Sequence, residues 1–320
     1  MKKRFKTAFT MAELLISLTI IGVVASIMLP SLSNNVNDRT LSTRRIAMFS
    51  RLSQAMGLID SISDVGKRDA SGNIISNWED TAAMTFVIDK LSQGIKYENT
   101  CEYGAFKSCG FSGLLSREDG STFTMPATFK ALVNNNDLNA PETKPVAFVT
   151  KNGESIALYY NPDCMAKTGS SDTYMNFVCV NMIYDLNGTK SPNTLGKDVG
   201  VATVLYSSSP DFVMPVPTGV NGTVSTNSGE TEAETTCSDN GYLLPNLEEM
   251  ISLSVNNKLL NGTSSSNSWS GLYATSSKKA IVDNDGTTVY YWGVKADGDA
   301  MGINKGAKSA KYVCVRKLSE

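Results

Sequence analysis

Histidine is absent from the 320 residues. Its loss removes the commonest general base and the commonest metal ligand from any mechanism. Hydrolases built on Ser-His-Asp or Cys-His pairs are thereby excluded. The side chains left for chemistry fall into four groups. Six cysteines stand at 101, 109, 164, 179, 237 and 314. Hard oxygen donors cluster in Asp185-Leu-Asn187-Gly and again at Asp198. A lone carboxylate, Glu13, sits inside an apolar run. Trp269, Tyr273, Tyr290, Tyr291 and Trp292 crowd the C-terminal part. These groups do not form an acid–base or nucleophile pair, and the chain is not expected to be an enzyme.

The cysteines are even in number, and all lie beyond the apolar run. No C-x-x-C occurs and no histidine completes a zinc site, so disulfides in an oxidising compartment are the expected use. Spacing alone leaves the connectivity open. Nearest neighbours in sequence are the expected pairs, Cys101–Cys109, Cys164–Cys179 and Cys237–Cys314. Asp-x-Asn-Gly is half of a calcium-loop pattern, but the bidentate glutamate of an EF-hand is missing at its offset. Asx hydrogen bonds in a plain turn account for the same residues. No cofactor is required. If calcium binds, Asp185, Asn187 and Asp198 are the ligands the pattern names.

The elements that position these residues begin at the N-terminus. Lys2, Lys3, Arg4 and Lys6 precede the apolar run, and the next basic residue is Arg39. The positive-inside rule leaves the N-terminus in the cytoplasm and the C-terminus outside, with one pass through the inner (cytoplasmic) membrane. Phe9 to Leu29 is about 21 residues, roughly 31 Å of helix, enough to span the hydrocarbon. A carboxylate in such a helix costs on the order of 2.5–3.5 kcal/mol at the bilayer centre. Glu13 therefore needs a partner, and the new amine of a cleaved neighbouring chain would supply one.

Ala8-Phe9-Thr10-Met11-Ala12-Glu13-Leu14-Leu15 resembles the prepilin signature of type IV pilins and type II secretion pseudopilins. A basic leader, a small residue before the cut, phenylalanine after it, a glutamate four residues on, Gly22 and Pro30 all follow that pattern. Ala8 departs from it, since the family usually carries glycine there. The resemblance implies cleavage by a prepilin peptidase between Ala8 and Phe9, methylation of the Phe9 amine, and pairing of Glu13 with that amine on an adjacent subunit. It also implies other pilin subunits and an inner-membrane assembly platform as partners, and a filament outside the membrane as the destination.

Beyond Pro30, Leu41, Met48, Leu52, Met56, Ile59 and Ile62 recur at helical spacing, which continues one helix to about Ile62 with a bend at the proline. Residues 79–94 predict a second helix stopped at Gly94. Pro145–Thr150 and Ser155–Tyr160 flank Asn152-Gly153 as a β-hairpin. Phe177–Tyr184 and Val201–Tyr206 add two strands. Residues 210–236, rich in Pro, Gly, Ser and Thr, read as a linker.

Residues 237–320 start with a helix capped by Asn246. The motifs Cys237…Leu244-Pro245…Glu249…Trp269-Ser270…Tyr312-Val-Cys314-Val-Arg316 resemble C-type-lectin-like domains of the bacterial subset related to sulfatase-modifying folds. That resemblance implies a Cys237–Cys314 closure. The calcium-dependent sugar motifs Glu-Pro-Asn and Trp-Asn-Asp are missing. Trp269, Tyr273, Tyr291 and Trp292 would form the platform for a glycan or protein ligand, unless they fill a core.

The expected fold is α+β: a long helix, membrane-spanning in its first half, on an antiparallel pilin-like head, then a small disulfide-closed lectin-like domain. Its parts are a leader (1–8), the pilin helix (9–62), the head (63–209), the linker (210–236) and the lectin-like domain (237–320). A net charge of -2 argues against nucleic acid as a partner. The expected function is a minor or tip subunit of a type IV pilus or type II secretion filament, with adhesion as an extension. The other reading is a membrane-anchored binding protein outside any filament.

Overall fold

Leu, Ile, Met and Ala dominate the N-terminal run, and helix α1 (Met11–Gly57) follows from them. The computed structural model describes residues 11–57, 88, 91–117, 120–126, 129–130, 142–160, 178–206, 210–224, 229–261, 272–283, 286–295, 300–303, 310–316 and 318. Helix α1 continues through Pro30, as its pattern predicts. Its hydroxyls close on its own backbone: Ser17 Oγ donates to the Glu13 carbonyl and Thr19 Oγ1 to that of Leu15, each at 2.8 Å. Such bonds leave the outer surface of the helix apolar. Among the described residues no helix is long and apolar enough to cross a membrane. The expected span, Phe9–Leu29, reaches outside them at its first two residues and in several side chains near its end.

The chain divides into two compact units, Met1–Arg44 and Arg45–Glu320. In the second, Met48, Leu52, Ala55 and Met56 of α1 are at most 1% exposed, so the predicted stripe is a core face. Ile59 and Ile62 lie outside the described residues, as does most of the expected 79–94 helix. Ile88 and Leu91 of that segment are helical and buried. At Gly94 a Cβ would stand 2.7 Å from the Ala55 Cβ, so that stop residue must be glycine.

The strands are β1 (Tyr97–Glu102), β2 (Leu115–Ser116), β3 (Thr122–Phe123), β4 (Phe129–Lys130), β5 (Glu142–Thr143), β6 (Val146–Thr150), β7 (Ser155–Tyr160), β8 (Val178–Asp185), β9 (Val199–Tyr206) and β10 (Pro210–Val213). Then come β11 (Val216–Val224), β12 (Leu272–Asp283), β13 (Gly286–Lys295), β14 (Ala300–Ile303) and β15 (Ala310–Arg316). Helices α2 (Gly229–Asp239) and α3 (Leu247–Asn261) lie between β11 and β12. A six-stranded antiparallel sheet runs in the order β1-β6-β7-β8-β9-β10. The predicted hairpin is its β6–β7 turn, with Gly153 at φ +82°. A five-stranded sheet has the order β11-β15-β12-β13-β14.

Residues 210–236, read from composition as a linker, hold β10, β11 and the first part of α2. Strand β11 pairs with β15 at an edge of the five-stranded sheet, where proline is tolerated. Its small residues have a packing reason. A Cβ on Gly222 would meet the Tyr312 hydroxyl at 2.7 Å, and Thr218 Oγ1 donates to the Cys314 carbonyl at 3.0 Å.

The expected head and C-terminal module share one core. Phe111, Tyr159, Ile183 and Val201 join Met250, Ile251, Tyr273 and Val313 in a single apolar cluster. A buried polar network links them as well. Thr203 Oγ1 on β9 stands 2.7 Å from Ser252 Oγ and accepts from Asn256 Nδ2 at 2.8 Å, both on α3. Helix α3 starts with a reciprocal capping box. Asn246 Oδ1 accepts from the Glu249 N–H at 2.7 Å, and the Glu249 carboxylate accepts from the Asn246 N–H at 2.9 Å. Disulfides join Cys101 to Cys109 and Cys237 to Cys314. Of the expected Cys164–Cys179 pair, Cys164 lies outside the described residues, and Cys179 is on β8 with its side chain outside them.

Candidate functional site

Strands β8 and β9 must reverse between Asp185 and Val199, and the polar residues of the connection build their own frame. Asp198, with no exposed surface, turns its carboxylate onto the backbone. Its Oδ1 accepts from the N–H groups of Thr194 at 2.7 Å and Val199 at 3.1 Å, and its Oδ2 from that of Asn193 at 2.8 Å. Its carbonyl takes the Leu186 N–H at 3.0 Å. Strand β2 braces the loop from outside: the Ser116 N–H donates to the Asn193 carbonyl, and its carbonyl accepts from Leu195.

Asp185 closes the other end and is also fully buried. Its Oδ1 accepts from the Asn187 N–H at 3.0 Å, while Oδ2 has no partner. Burial raises its pKa to about 7, opposed by the hydrogen bond from the Asn187 N–H, raised further by the Asp198 charge, and lowered by the Gly188 N–H. Asn187 and Asn193 donate their amide N–H groups to the Ser191 and Thr189 carbonyls, which leaves Oδ1 of each buried and without a partner. Asn193 is held at φ +49°, a conformation that asparagine tolerates better than most residues.

Of the sequence-predicted metal set, Asp185 and Asn187 thus present open oxygens. Asp198 does not, because both of its oxygens are taken by the backbone. Asn193 is the residue that spacing missed; Ser-Pro-Asn in a turn was its only signal. Among the described residues no three His, Cys, Asp or Glu side chains gather to hold a metal, so a site here would depend on amide and hydroxyl oxygens.

Ala8 and Phe9 lie outside the described residues. Glu13 occupies the first turn of α1 and is exposed. Around it the large apolar residues from Met11 to Val24 are exposed by 44–81%. Tyr273 is 6% exposed and belongs to the shared core, with Lys311 Nζ 6.0 Å from its ring centre. Trp269 lies outside the described residues, as do the side chains of Tyr290, Tyr291 and Trp292 on β13. No family model matches the chain, and neither does any curated protein or solved structure.

Proposed function

We propose that this chain is a structural subunit, minor or tip, of a filament of the type IV pilus or type II secretion kind. It is held first in the inner membrane by residues 9–29 and released by cleavage between Ala8 and Phe9. The observation that carries the reading is the surface of α1. Leu14, Leu15 and Ile16 are each more than half exposed, and successive helical positions point about 100° apart. A helix that is apolar on all sides requires an apolar environment on all sides. A bilayer meets that requirement before assembly, and neighbouring helices meet it afterwards. Glu13, in the first turn of this surface, is the charge that makes the filament the better environment, since a neighbour's Phe9 amine is a partner that hydrocarbon lacks. The 276 residues from Arg45 to Glu320 form one unit, a bulky head that fits a minor or tip position better than a repeating lattice.

Glu13→Ala tests the reading. N-terminal processing at Ala8–Phe9 and recovery in sheared filaments are followed side by side. Processing is expected to persist while incorporation falls at least tenfold. If the wild-type chain reaches the surface without entering any filament, the proposal is wrong and an anchored binding protein takes its place.

A further inference from the structure

Three connections meet at one end of the six-stranded sheet. Tyr97 opens β1 opposite Thr150, the last residue of β6. Ser155 opens β7 opposite Asp185, the last residue of β8, and Asp185 in turn faces Val199, the first of β9. The approach to β1, the β6–β7 turn and the β8–β9 connection therefore lie side by side. The Lys151 N–H donates to the Lys96 carbonyl at 3.0 Å, and a Cβ on Gly188 would stand 3.9 Å from the Gly153 carbonyl. Arg45, where the unit Arg45–Glu320 begins, donates to the Lys197 carbonyl.

Charge at this end is sorted by depth. Glu154, Asp185 and Asp198 are at most 2% exposed. Lys96, Lys151, Lys190 and Lys197 are all exposed. Within the described stretches 94–98, 150–155 and 185–199, Glu98 is the one exposed carboxylate. The ion pair found among the described residues, Arg51–Glu154, involves none of the four lysines. The outer surface of this end is thus cationic, although the whole chain carries a formal net charge of -2. Lysine ammonium groups on flexible stems act as point charges and do not demand one fixed ligand geometry. They suit a continuous anionic surface, where each lysine favours contact about fivefold.

Reach decides between anionic partners. In the filament proposal and in its alternative alike, residues 9–29 hold the chain in the inner membrane. Arg45 follows Leu29 by sixteen positions, and both belong to α1 (Met11–Gly57). Sixteen helical residues make a tether of about 24 Å. A tethered surface acts at high effective concentration, an advantage that a free polyanion lacks. An upright tether keeps the lysines beyond the about 8 Å over which charge acts at physiological salt, and a tilted one brings them within it.

We propose that the end of the six-stranded sheet carrying Lys96, Lys151, Lys190 and Lys197 docks on anionic phospholipid headgroups of the outer leaflet while the chain waits in the membrane. The docked subunit is tilted, and entry into a filament lifts it from the surface. This rests on the membrane anchor and not on the filament.

The full chain is reconstituted in nanodiscs of phosphatidylcholine alone, or of phosphatidylcholine and phosphatidylglycerol in equal parts, and followed by hydrogen exchange. A docked fraction of two thirds slows exchange about threefold. Slowing of at least that size is expected for amides of 151–155 and 186–199 in the anionic discs. It should vanish at about 1 M salt, where the screening length falls to about 3 Å. It should also vanish when all four lysines are replaced by glutamine, a change of exposed side chains that leaves Tm unaltered. Amides of β11 and β15, in the other sheet, are the reference and should exchange alike in both discs. Equal exchange at 151–155 and 186–199 in the two discs overturns the docking, as does slowing that the lysine variant keeps. Slowing by added double-stranded DNA, with none from anionic lipid, overturns it in favour of nucleic acid. A chain that does not enter the discs overturns the anchor itself, and the docking with it.

Discussion

Thr203→Val removes one hydroxyl, keeps the shape of the side chain, and asks whether the two sheets of the unit Arg45–Glu320 fold together. Thr203 Oγ1 donates to Asn181 Oδ1 at 3.1 Å, meets Ser252 Oγ at 2.7 Å and accepts from Asn256 Nδ2 at 2.8 Å. That is the full capacity of a hydroxyl, one proton given and two received. All four residues are at most 1% exposed. Valine would strand Asn181 Oδ1 and Ser252 Oγ, while Asn256 Nδ2 keeps its bond to the Ser252 carbonyl. Each stranded buried group costs about 1–3 kcal/mol, so the loss is about 2–6 kcal/mol. For a body of this size that lowers Tm by about 5–15 °C. Thermal unfolding of the full chain gives the magnitude, and hydrogen exchange read by mass spectrometry gives the location. Amides of β8 and β9 and those of α3 are expected to lose protection together, although the substitution lies in one sheet. Wild-type protection in α3 beside a weakened β9 would refute the shared core, as would a total loss below about 0.5 kcal/mol.

Two further substitutions follow from the same packing. Replacing Cys237 and Cys314 by serine opens a bridge that spans 77 positions; the chain-entropy estimate is about 4–5 kcal/mol, against about 2–3 kcal/mol for the short Cys101–Cys109 loop. Urea midpoints of the two double variants should keep that order. Gly200→Ala sets a Cβ 2.1 Å from the Tyr184 hydroxyl and 2.2 Å from its ring Cζ, for a cost of about 1–3 kcal/mol. Tyr184→Phe in the same chain should not restore stability, because the ring carbon remains in the way; a full rescue would show that the strands do not approach so closely.

Local chemistry explains what was readable in advance. Asn152-Gly153 places its own turn, and alternating Val, Ala, Ile and Tyr mark β6 to β9, because side-chain period and turn type act within a few residues. Asn246 and Glu249 cap α3 across one turn. The strands within 210–236 were hidden for the opposite reason. Gly222 and Thr218 are small and polar because of Tyr312 and Cys314, some ninety residues on, and composition cannot register a partner that distant. The contact across Cys237 was hidden as well, since Ser252 and Asn256 look like the solvent side of a helix until Thr203 is set against them. In the β8–β9 connection the carboxylates were visible but their division of labour was not: Asp198 and Asp185 differ in how many N–H groups the fold aims at each.

Two arginines of α1, Arg45 and Arg51, extend this logic to the helix. Arg51 pairs with Glu154, to which Thr150 also donates, in the β6–β7 turn. Arg45 donates to the Lys197 carbonyl in the β8–β9 connection. Both turns lie at one end of the six-stranded sheet, the end where Ser155 opposes Asp185. The Glu154 pair holds its turn without outside help, because the carboxylate is 3% exposed and has its cation in place. Arg45 grips a carbonyl next to Asp198, whose carboxylate in turn holds three N–H groups of the same loop. Loss of that carboxylate would loosen the loop and with it the acceptor under Arg45. The two turns therefore brace the C-terminal part of α1 at one end of the sheet by unlike means, a buried ion pair and a backbone-anchored loop. By this argument Asp198→Ala should weaken amide protection at Met48 and Leu52 of α1 before it reaches the five-stranded sheet.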